Sequence, residues 1–540
     1  MSPLTEARLT LRLRRVRLAA LPLAFASSAL TAQSASWRTG SGAEGIALKS
    51  ETPPTLLIRA DSAARAGRYD DAITLLRRYR AQAPDSVQGL VALARTFAWA
   101  RRFPESVEAY DAAVRLLPND YELRMAQATT LGWAGRYDES AAVFRSTASG
   151  PAAAVRAGER GLASVAGWRG DHADALRRWE QLVASDTSDA EAWTGLSQAR
   201  RWTGNARGAE RAARAALSLA PADAEAKNAS DAARAAIGPT VEPQALRVQD
   251  SDGNRSQFIS ASARMAAPWT GSMTLIASQR TAEFLAARGT ARTVRSVMNW
   301  SLVDGGRLNL RAEGGVSQLE GRRSLLDSAV LRTAPIAALG AVARVSRRVT
   351  VSATASRRPF DEIALLIVNG ISMSSFDAAT EMQLPATVRF TADAGVTRFE
   401  HGAPNTRRSG SALLTIAPRK WMMFGAVMKA QANTGTPRDG YFAPRQYRLA
   451  EGMVRVARER DRGVISSLEA GVGSQRIAFT NVTRVTQMTQ RVTASVTWRP
   501  SARFEISTMS SAGRMASPFT QAPGKYEYFT LGLQARVPLR

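Results

Sequence analysis

Apolar and polar residues alternate with a period of two along much of the C-terminal half of the chain. Because successive side chains of a strand point to opposite faces, the alternation predicts strands with one apolar and one polar face. The residues that interleave with the apolar ones are mainly arginine, threonine and other polar types. The apolar members of the four clearest segments are Leu308, Leu310 and Ala312; Val388, Phe390, Ala392, Ala394 and Val396; Val492, Ala494, Val496 and Trp498; and Phe529, Leu531, Leu533, Ala535, Val537 and Leu539.

These predicted strands are long for a soluble protein. Each spans roughly ten residues or more, as bilayer-crossing strands do, whereas the strands of a β-sandwich usually have about five or six. A closed barrel places the apolar faces in lipid and the polar faces in a lumen, with no unpaired edge in hydrocarbon. We therefore predict a transmembrane antiparallel β-barrel of about 14–16 strands over residues 251–540, with a soluble β-sandwich as the alternative.

The N-terminal half instead repeats a helical pattern. A small residue recurs at positions 72, 106, 140, 175 and 209, in steps of 34, 34, 35 and 34, with a glycine, an aromatic residue and a proline in nearly constant phase. This spacing is the tetratricopeptide pattern, whose helix pairs stack into a solenoid. We predict an α-solenoid of about five repeats over residues 53–237. After Pro239 and Pro243 the pattern changes, which predicts a linker over residues 238–250.

Several positions of each repeat have a predicted packing role. The glycine suits the turn between two helices, the small residue lets them approach closely, and the proline ends the second helix. The in-phase tryptophans are predicted to pack between repeats, with an aromatic ladder for sugar or peptide stacking as the alternative. His172 occupies an aromatic position and is interpreted as a packing substitution. The predicted repeat-packing residues are Trp99, Trp133, Trp168, Trp202, Ala72, Ser106, Ser140, Ala175 and Ala209.

A secretory signal peptide is predicted over residues 1–32. An acid-free, arginine-rich stretch at 8–17 precedes an apolar run at 18–26 and then small residues, which is the layout of a cleavable signal. The apolar run is shorter than the ~20 residues that a membrane-spanning helix needs. Residues 33–52 are predicted to form a flexible segment before the repeats.

Composition excludes several functional classes. The chain has no cysteine, which rules out disulfides, lipoprotein acylation, thiolate metal sites and cysteine nucleophiles. The formal net charge of +26 would favour nucleic acid in a cytoplasmic protein, but the predicted signal peptide argues against a nucleic-acid partner. The arginines are spread along the chain, which fits a compositional bias. The alternative is attraction to anionic lipid headgroups or to an anionic polymer.

Catalytic chemistry has few candidates in this sequence. His172 and His401 are the two histidines and lie in different predicted domains, so a metal site or a histidine-based triad is not expected. We interpret the adjacent acids Asp361 and Glu362 as solvated surface rather than as a glycosidase pair, whose carboxyls must face each other. No glycine-rich loop is followed by the lysine that a phosphate site requires. We predict a protein that is not an enzyme, with no catalytic residues, no metal and no cofactor.

The combination of repeats and barrel resembles the outer-membrane export subunits of bacterial exopolysaccharide systems. The segment Trp133 to Glu139 reads like the repeats of that family, and Asp439 to Tyr447 is similar to a Gly-Tyr-Tyr/Phe-Ser-Pro-Gln-x-Tyr stretch of cellulose-export barrels. Ala443 and Arg445 depart from that stretch. Because the solenoid is short, the chain is more similar to the smaller YaiO-type proteins than to the cellulose and poly-N-acetylglucosamine exporters. The resemblance implies four candidate polymer-contacting residues, Tyr441, Phe442, Pro444 and Tyr447.

The leading hypothesis is therefore an outer-membrane barrel with a periplasmic repeat scaffold that exports an exopolysaccharide or assists its export. The expected partners are outer-membrane lipid, a periplasmic or inner-membrane protein bound by the repeats, and polysaccharide as a candidate ligand. One alternative is a sealed barrel that anchors the repeats as an interaction scaffold. Another is an anion-preferring porin with arginine in its lumen.

Overall fold

The repeat pattern of the N-terminal half folds into antiparallel helix pairs. A computed structural model describes residues 52–539 except for 268–270, 303–306, 386, 420, 436–440, 461–462, 480–483, 502–503 and 517–524. The predicted signal peptide and nearly all of the predicted flexible segment lie outside the described residues. Within them, the helices of this half are α1 (Pro53–Arg65), α2 (Tyr69–Gln82), α3 (Val87–Trp99), α4 (Phe103–Leu116), α5 (Tyr121–Trp133), α6 (Tyr137–Arg145), α7 (Ala152–Trp168), α8 (His172–Ser185), α9 (Ala190–Trp202), α10 (Ala206–Leu219) and α11 (Ala224–Ile237), with a 3-10 turn at Ser146–Ser149.

Polar residues of the repeat pattern cap the first helices of successive pairs. Ser86, Asp120 and Asp189 each accept a hydrogen bond from the backbone N–H three residues later, which satisfies one of the free donors at a helix start. The same bond, 2.7 Å long, joins the N–H of Ala226 to Asp223 at the start of α11. Five helix pairs therefore stack over the described residues, and α11 packs on the last pair as an additional helix.

The turns between paired helices require a left-handed residue. Gly67, Gly135, Gly170 and Gly204 occupy this position with φ between 77° and 87°. In the second repeat Arg101 occupies this position with φ of 60°. Residues with a Cβ rarely adopt this left-handed conformation. The second turn is therefore strained where the others are relaxed.

The small residues of the pattern are buried where the paired helices touch. Ala72, Ala175 and Ala209 are fully buried. Ser106 and Ser140 are equally buried, and their hydroxyls donate to the carbonyls of Ala94 and Ala128 at 2.7 and 2.6 Å, so their polar atoms are satisfied.

The predicted packing tryptophans divide into two groups. The rings of Trp168 and Trp202 lie where a Cβ on Gly132 or Gly167 of the preceding repeat would meet them at 2.4 or 2.3 Å. Trp99 and Trp133 are 42% and 50% exposed. No helix of the described residues is long and apolar enough to cross a membrane.

The C-terminal half forms a closed antiparallel barrel in which each strand pairs with its sequence neighbours. Over the described residues it has 16 strands, which confirms the predicted barrel at the upper end of the predicted range. The strands are β1 (Thr240–Asp250), β2 (Asn254–Ala266), β3 (Gly271–Phe284), β4 (Ala287–Leu302), β5 (Leu308–Arg322), β6 (Val330–Arg344), β7 (Val349–Pro359), β8 (Ser372–Gln383), β9 (Val388–Glu400), β10 (Asn405–Arg419), β11 (Met422–Asn433), β12 (Gln446–Arg460), β13 (Val464–Ala478), β14 (Arg484–Trp498), β15 (Glu505–Ala516) and β16 (Lys525–Pro538), with a short helix α12 (Ala364–Asn369) between β7 and β8.

The predicted linker over residues 238–250 is instead largely the first strand. β1 closes the barrel by pairing with β16, for example Leu246 opposite Gly532. Prolines suggested a boundary because proline lacks a backbone donor. Pro243 nevertheless lies inside β1, at the point where the register with β16 passes from Val241 directly to Gln244. The connection from the solenoid to the barrel is therefore only Gly238 and Pro239.

The outer face of the barrel is apolar and the inner face polar, as the alternation predicts. Val492 and Val496 on β14 are 50% and 48% exposed, while Thr493 between them is hydrogen-bonded to Ser511 of the next strand. Large exposed side chains continue this outer band on other strands, among them Leu339, Phe376, Met428, Leu468 and Val472. A closed sheet with such a band has the properties of a membrane-spanning barrel, because closure leaves no open strand edge toward lipid.

The strained turn in the second repeat gives a test of the repeat pattern. Replacing Arg101 by glycine should relieve the left-handed strain and stabilise the repeats by about 1 kcal/mol. For a domain of this size, that raises the midpoint of helix melting by roughly 2–4 °C. Circular dichroism at 222 nm on the full-length protein in detergent measures it, because the signal there comes mainly from the solenoid. Arg101→Ala is the matched control, since it removes the charge but keeps the Cβ, and an equal rise in that variant would contradict the strain argument.

Candidate functional site

The lumen of the barrel is lined with charges that are paired across strands. Arg491 on β14 donates to Glu451 on β12 at 2.7 Å and to Glu469 on β13 at 2.6 Å. Arg295 and Arg311 both bind Glu313 on β5, at 2.5 and 3.1 Å. Paired carboxylates cancel much of the arginine charge in these parts of the wall, which reduces its attraction for free anions.

A short segment between β7 and β8 folds back into the barrel. The helix α12 packs against β3, β4 and β5, where Ile367 joins a cluster of inward-facing alanines and Leu319. Two glycines make room for it: a Cβ on Gly289 would lie 2.8 Å from Ile367, and a Cβ on Gly321 would lie 2.9 Å from Val368. We call residues 360–371 together with Tyr441–Arg445 the lumenal plug.

The two parts of the lumenal plug pack on each other. Leu366 and Ile371 from the first part share a buried cluster with Phe399 and with Tyr441 of the second part. The rings of Phe399 and Tyr441 are stacked with centroids 4.3 Å apart, and the guanidinium of Arg407 lies 4.8 Å from the Phe399 ring. Stacking and cation–π contacts of this kind add to the stability that apolar burial supplies.

Polar contacts fix the ends of α12. Arg332 on β6 donates to the carbonyl of Asn369 at 3.2 Å, and Arg323 donates to the side chain of the same residue at 2.9 Å. At the other end, Asp361 lies 3.7 Å from Arg280 on β3. Asp361 is thus only partly exposed and faces an arginine of the barrel wall, whereas the sequence analysis interpreted it as solvated surface.

The four predicted polymer-contacting residues lie in or beside the lumenal plug. Tyr441 is 6% exposed and its hydroxyl accepts a hydrogen bond from Asn405 at 3.2 Å. Pro444 is buried, with its carbonyl bound by Asn433, and Phe442 meets Tyr447 edge to face at 5.4 Å. Asp439 and Gly440 of the same motif lie outside the described residues. The motif therefore packs within the barrel, and its contact with polymer stays a prediction.

Sequence reasoning missed α12. The signal was the unbroken apolar run from Ile363 to Val368, which interrupts the alternation that marks the strands on either side. A buried helix and a buried strand cannot be separated by such a short run alone. Gly289 and Gly321, which admit the helix, gave no sign of their common role because they become neighbours only through the register of β4 with β5.

Two consecutive turns of the solenoid contact one end of the barrel. Ser301, near the end of β4, donates to the carbonyl of Thr203 at 3.0 Å. Arg344 donates to the carbonyl of Gly170 at 3.2 Å, and Arg347 forms an ion pair with Asp171 at 2.9 Å. We call this end of the barrel proximal and the opposite end distal. From Pro53 onward the chain forms one compact unit.

The junction lies around two cavities of about 410 and 330 Å³. The smaller one is lined by Asp171 and His172 of the solenoid and by Arg307, Arg344 and Arg347 of the barrel. Burial raises the pKa of Asp171, but the hydrogen bonds from Arg347 and from the N–H of Asp174 outweigh it and leave that pKa lowered. The pKa of His172 is lowered by burial and by the charge of Arg344, so its neutral form is favoured. Its ring stacks on Trp202 at 5.1 Å.

Fold and site together define a β-barrel protein that carries a tetratricopeptide solenoid. Residues 53–96 match the tetratricopeptide-repeat family model, and no curated protein sequence matches the chain. Among solved structures, a bacterial polysaccharide outer membrane secretin has 10% identity and a TM-score of 0.45, with 56% of this chain and 98% of that chain covered.

Two further similar structures are those of a tetratricopeptide-repeat protein and of a pilus biogenesis factor. A thermophilic repeat protein of Thermus thermophilus has 18% identity and a TM-score of 0.29, with 34% of this chain and 98% of that chain covered. The type IV pilus biogenesis factor PilW has 15% identity and a TM-score of 0.28, with coverage of 34% and 85%. Across the described ranges, no group of three or more histidine, aspartate and glutamate side chains could hold a metal ion.

His172 should make the repeats less stable in mild acid. Its pKa is lowered in the folded protein, so the unfolded chain takes up the proton more readily, and stability falls as pH drops below about 6.5. In His172→Tyr, which places there the residue found in two other repeats, the midpoint of helix melting should fall less between about pH 7.5 and about pH 5.5. His401→Gln, at the histidine outside the repeats, is the control. A pH response that is unchanged in His172→Tyr but lost in His401→Gln would exclude His172 as the cause of the lower stability in acid.

A larger side chain at Gly289 should detach the lumenal plug from the barrel wall. Gly289→Val places a side chain where Ile367 packs, and overpacking of about 1–3 kcal/mol raises the detached population by roughly 5- to 150-fold. Because the chain has no cysteine, a single Leu366→Cys thiol, buried on the same helix, reports detachment through its reaction rate with a charged maleimide and leaves Ile367 in place. The rate should rise in the Gly289→Val background. Gly314→Val, on an outer position with open space around it, is the matched control and should leave the rate unchanged.

Proposed function

We propose that the protein is a conduit of the bacterial outer membrane through which an exopolysaccharide is exported, or an accessory of such a conduit. The observation that carries the proposal is the attachment of the solenoid to the proximal rim by Thr203, Gly170 and Asp171. A solenoid held at a barrel mouth can present a partner or a nascent chain to the lumen. A porin for small solutes would not need this attachment.

In this proposal the solenoid lies in the periplasm and binds a periplasmic or inner-membrane protein. Tetratricopeptide solenoids bury their own apolar faces between repeats and leave an extended surface for partners. The half-exposed Trp99 and Trp133 lie on the solenoid away from the two repeats that contact the barrel. The Trp133 ring is therefore available for a partner or a sugar, whereas Arg95 already lies over the Trp99 ring at 5.1 Å. The protein carries out no reaction itself, and its part in export is to position and to conduct.

The lumenal plug keeps the conduit closed until export begins. Its first part is a single short helix with polar ties at Asn369 and Asp361, and its second part is a loop anchored by Asn433 and Asn405. Helix α12 is not a member of the sheet, so its displacement does not require any pair of strands to separate. Displacement of the plug would free the rings of Tyr441 and Phe442, which could then stack on sugar units.

A sealed barrel that anchors the repeats as an assembly scaffold is the second candidate. The observation that favours it is the extent of apolar packing around Ile367 and Leu366, which holds α12 against the barrel wall. The anion-preferring porin has less support, because the lumenal arginines Arg295, Arg311 and Arg491 are neutralised by glutamates.

Conductance in planar bilayers separates the two candidates. The full-length protein should show small or rare openings, and replacement of residues 361–370 by a flexible glycine–serine segment should give steady channels. These channels should be blocked in part by long oligosaccharides and not by monosaccharides. A truncated protein that lacks the solenoid has to begin at Gly238, since β1 closes the sheet. If neither the full-length protein nor the plug replacement conducts, the anchored scaffold is favoured and export is rejected.

A further inference from the structure

The outer surface of the barrel differs between its two ends. Near the proximal rim it carries exposed aromatic rings, with Trp421 49% and Trp498 44% exposed and Arg419 placed 5.8 Å from the Trp421 ring. Amphipathic rings of this kind sit at the boundary between lipid and water. The distal part of strands β9 to β13 carries four outward arginines, two of which stand directly opposite each other. The proximal end of β12 also carries two outward arginines, Arg458 and Arg460, so the two ends differ in the aromatic rings and in how the arginines are arranged.

Four exposed arginines face outward near the distal ends of two pairs of adjacent strands, which are separated by β11. We call them the arginine row: Arg398 on β9, Arg408 on β10, Arg448 on β12 and Arg476 on β13. Their outward direction follows from the alternation, because the residues beside them, Phe399, Arg407, Tyr447 and Ile477, are buried or partly buried inside the barrel. Arg448 and Arg476 stand directly opposite each other in the register of β12 and β13.

The arginine row stands just beyond the lipid-facing band. From Arg448 toward the proximal end, the outward positions of β12 are Ala450, Gly452, Val454 and Val456. From Arg476, those of β13 are Ser474, Val472, Ala470 and Leu468. Each outward step along a strand is about 6.6 Å, so the guanidinium groups lie within one or two side-chain lengths of the apolar band. This is the depth at which the headgroups of a lipid leaflet lie.

The members of the arginine row lack the carboxylate partners that some other outward arginines have. On the same outer face, Arg292 binds Glu320 at 3.1 Å, Arg357 binds Glu400 at 2.5 Å and Arg514 binds Glu527 at 2.5 Å. Among the described residues, no carboxylate pairs with any member of the arginine row. Like charges directly opposite each other on a sheet are destabilising, and Arg448 and Arg476 are such a pair. An anion placed between them would remove the repulsion.

We propose that the arginine row is a binding site for the phosphate groups of anionic lipid in the leaflet at the distal end. Guanidinium groups bind phosphate through two parallel hydrogen bonds, and two neighbouring arginines can hold one phosphate between them. The acyl chains of a lipid held there lie over Val472, Val454 and Leu468. A bound lipid therefore makes both the phosphate–arginine hydrogen bonds and the apolar contacts of its acyl chains. A free phosphate ion makes only the hydrogen bonds. The preferred ligand is a phosphorylated lipid.

This inference requires that the barrel lies in a membrane, but it does not depend on polysaccharide export. Lipid binding at the outer face and conductance through the lumen are measured separately. A protein that never conducts can still bind lipid at the arginine row, and a conducting protein can lack the site. Failure of one proposal is therefore distinguishable from failure of the other.

The test is a titration of the full-length protein in dodecylmaltoside micelles with fluorescent diphosphorylated lipid A, followed by anisotropy. The double variant Arg448→Gln, Arg476→Gln should weaken binding by about 25-fold, from roughly fivefold for each arginine near an anionic surface. The matched control is Arg458→Gln, Arg460→Gln, which removes two exposed arginines near the proximal end of the same strand β12. It should bind as the unaltered protein does. Phosphatidylcholine should bind weakly to all three proteins.

Several results would overturn the proposal. The first is that the double variant binds lipid A as tightly as the unaltered protein does. The second is that the proximal control loses as much affinity as the double variant, and the third is that phosphatidylcholine binds as tightly as lipid A. Inorganic phosphate that displaced the glycolipid at the same concentration would assign the site to a free anion and not to lipid. Should the double variant not fold, the salt dependence of the unaltered protein decides, because binding through exposed arginines has to weaken steeply as salt screens them. Affinity that is independent of salt would reject the site.

Discussion

The pairing of β1 with β16 is the interaction on which the rest of the structure depends. A strand with an open edge would expose backbone N–H and C=O groups to hydrocarbon, where no water can satisfy them. Closure removes that edge and fixes which side of every strand faces outward. It thereby creates the apolar outer band, the polar lumen and the proximal rim on which the solenoid rests. Each feature with a proposed role is a consequence of one closed hydrogen-bonded sheet.

Inside this sheet the lumenal plug depends on two glycines of the barrel wall. Gly289 and Gly321 lack the side chains that would fill the places of Ile367 and Val368. The wall is rigid because paired charges and backbone ladders hold it, whereas α12 is a single short helix that ends at a left-handed Gly370. Because α12 is not part of the sheet, its displacement would not require the strands to separate. The proposed conduit with a closed resting state requires an insert of this kind.

The solenoid is coupled to the barrel by more than its short connection. Gly238 and Pro239 alone would leave the helices free to swing, but the contacts at Thr203, Gly170 and Asp171 fix two repeats on the rim. The glycines that allow the inter-helix turns also bring those turns close to the barrel. The same repeat geometry that stacks the helices therefore also supplies the turns that contact the barrel.

The sequence by itself determined the repeats, the alternating strands and the barrel, because these patterns are local: a period near 34 and a period of two can be seen without knowing which segments meet. It misplaced β1, since Pro243 resembled a boundary until the pairing of β1 with β16 showed how the register passes over it. The plug, the proximal junction and the arginine row were decided only by the tertiary structure. Each joins residues far apart in the chain, such as Gly289 with Ile367 or Arg347 with Asp171, and no local pattern records that such residues are neighbours.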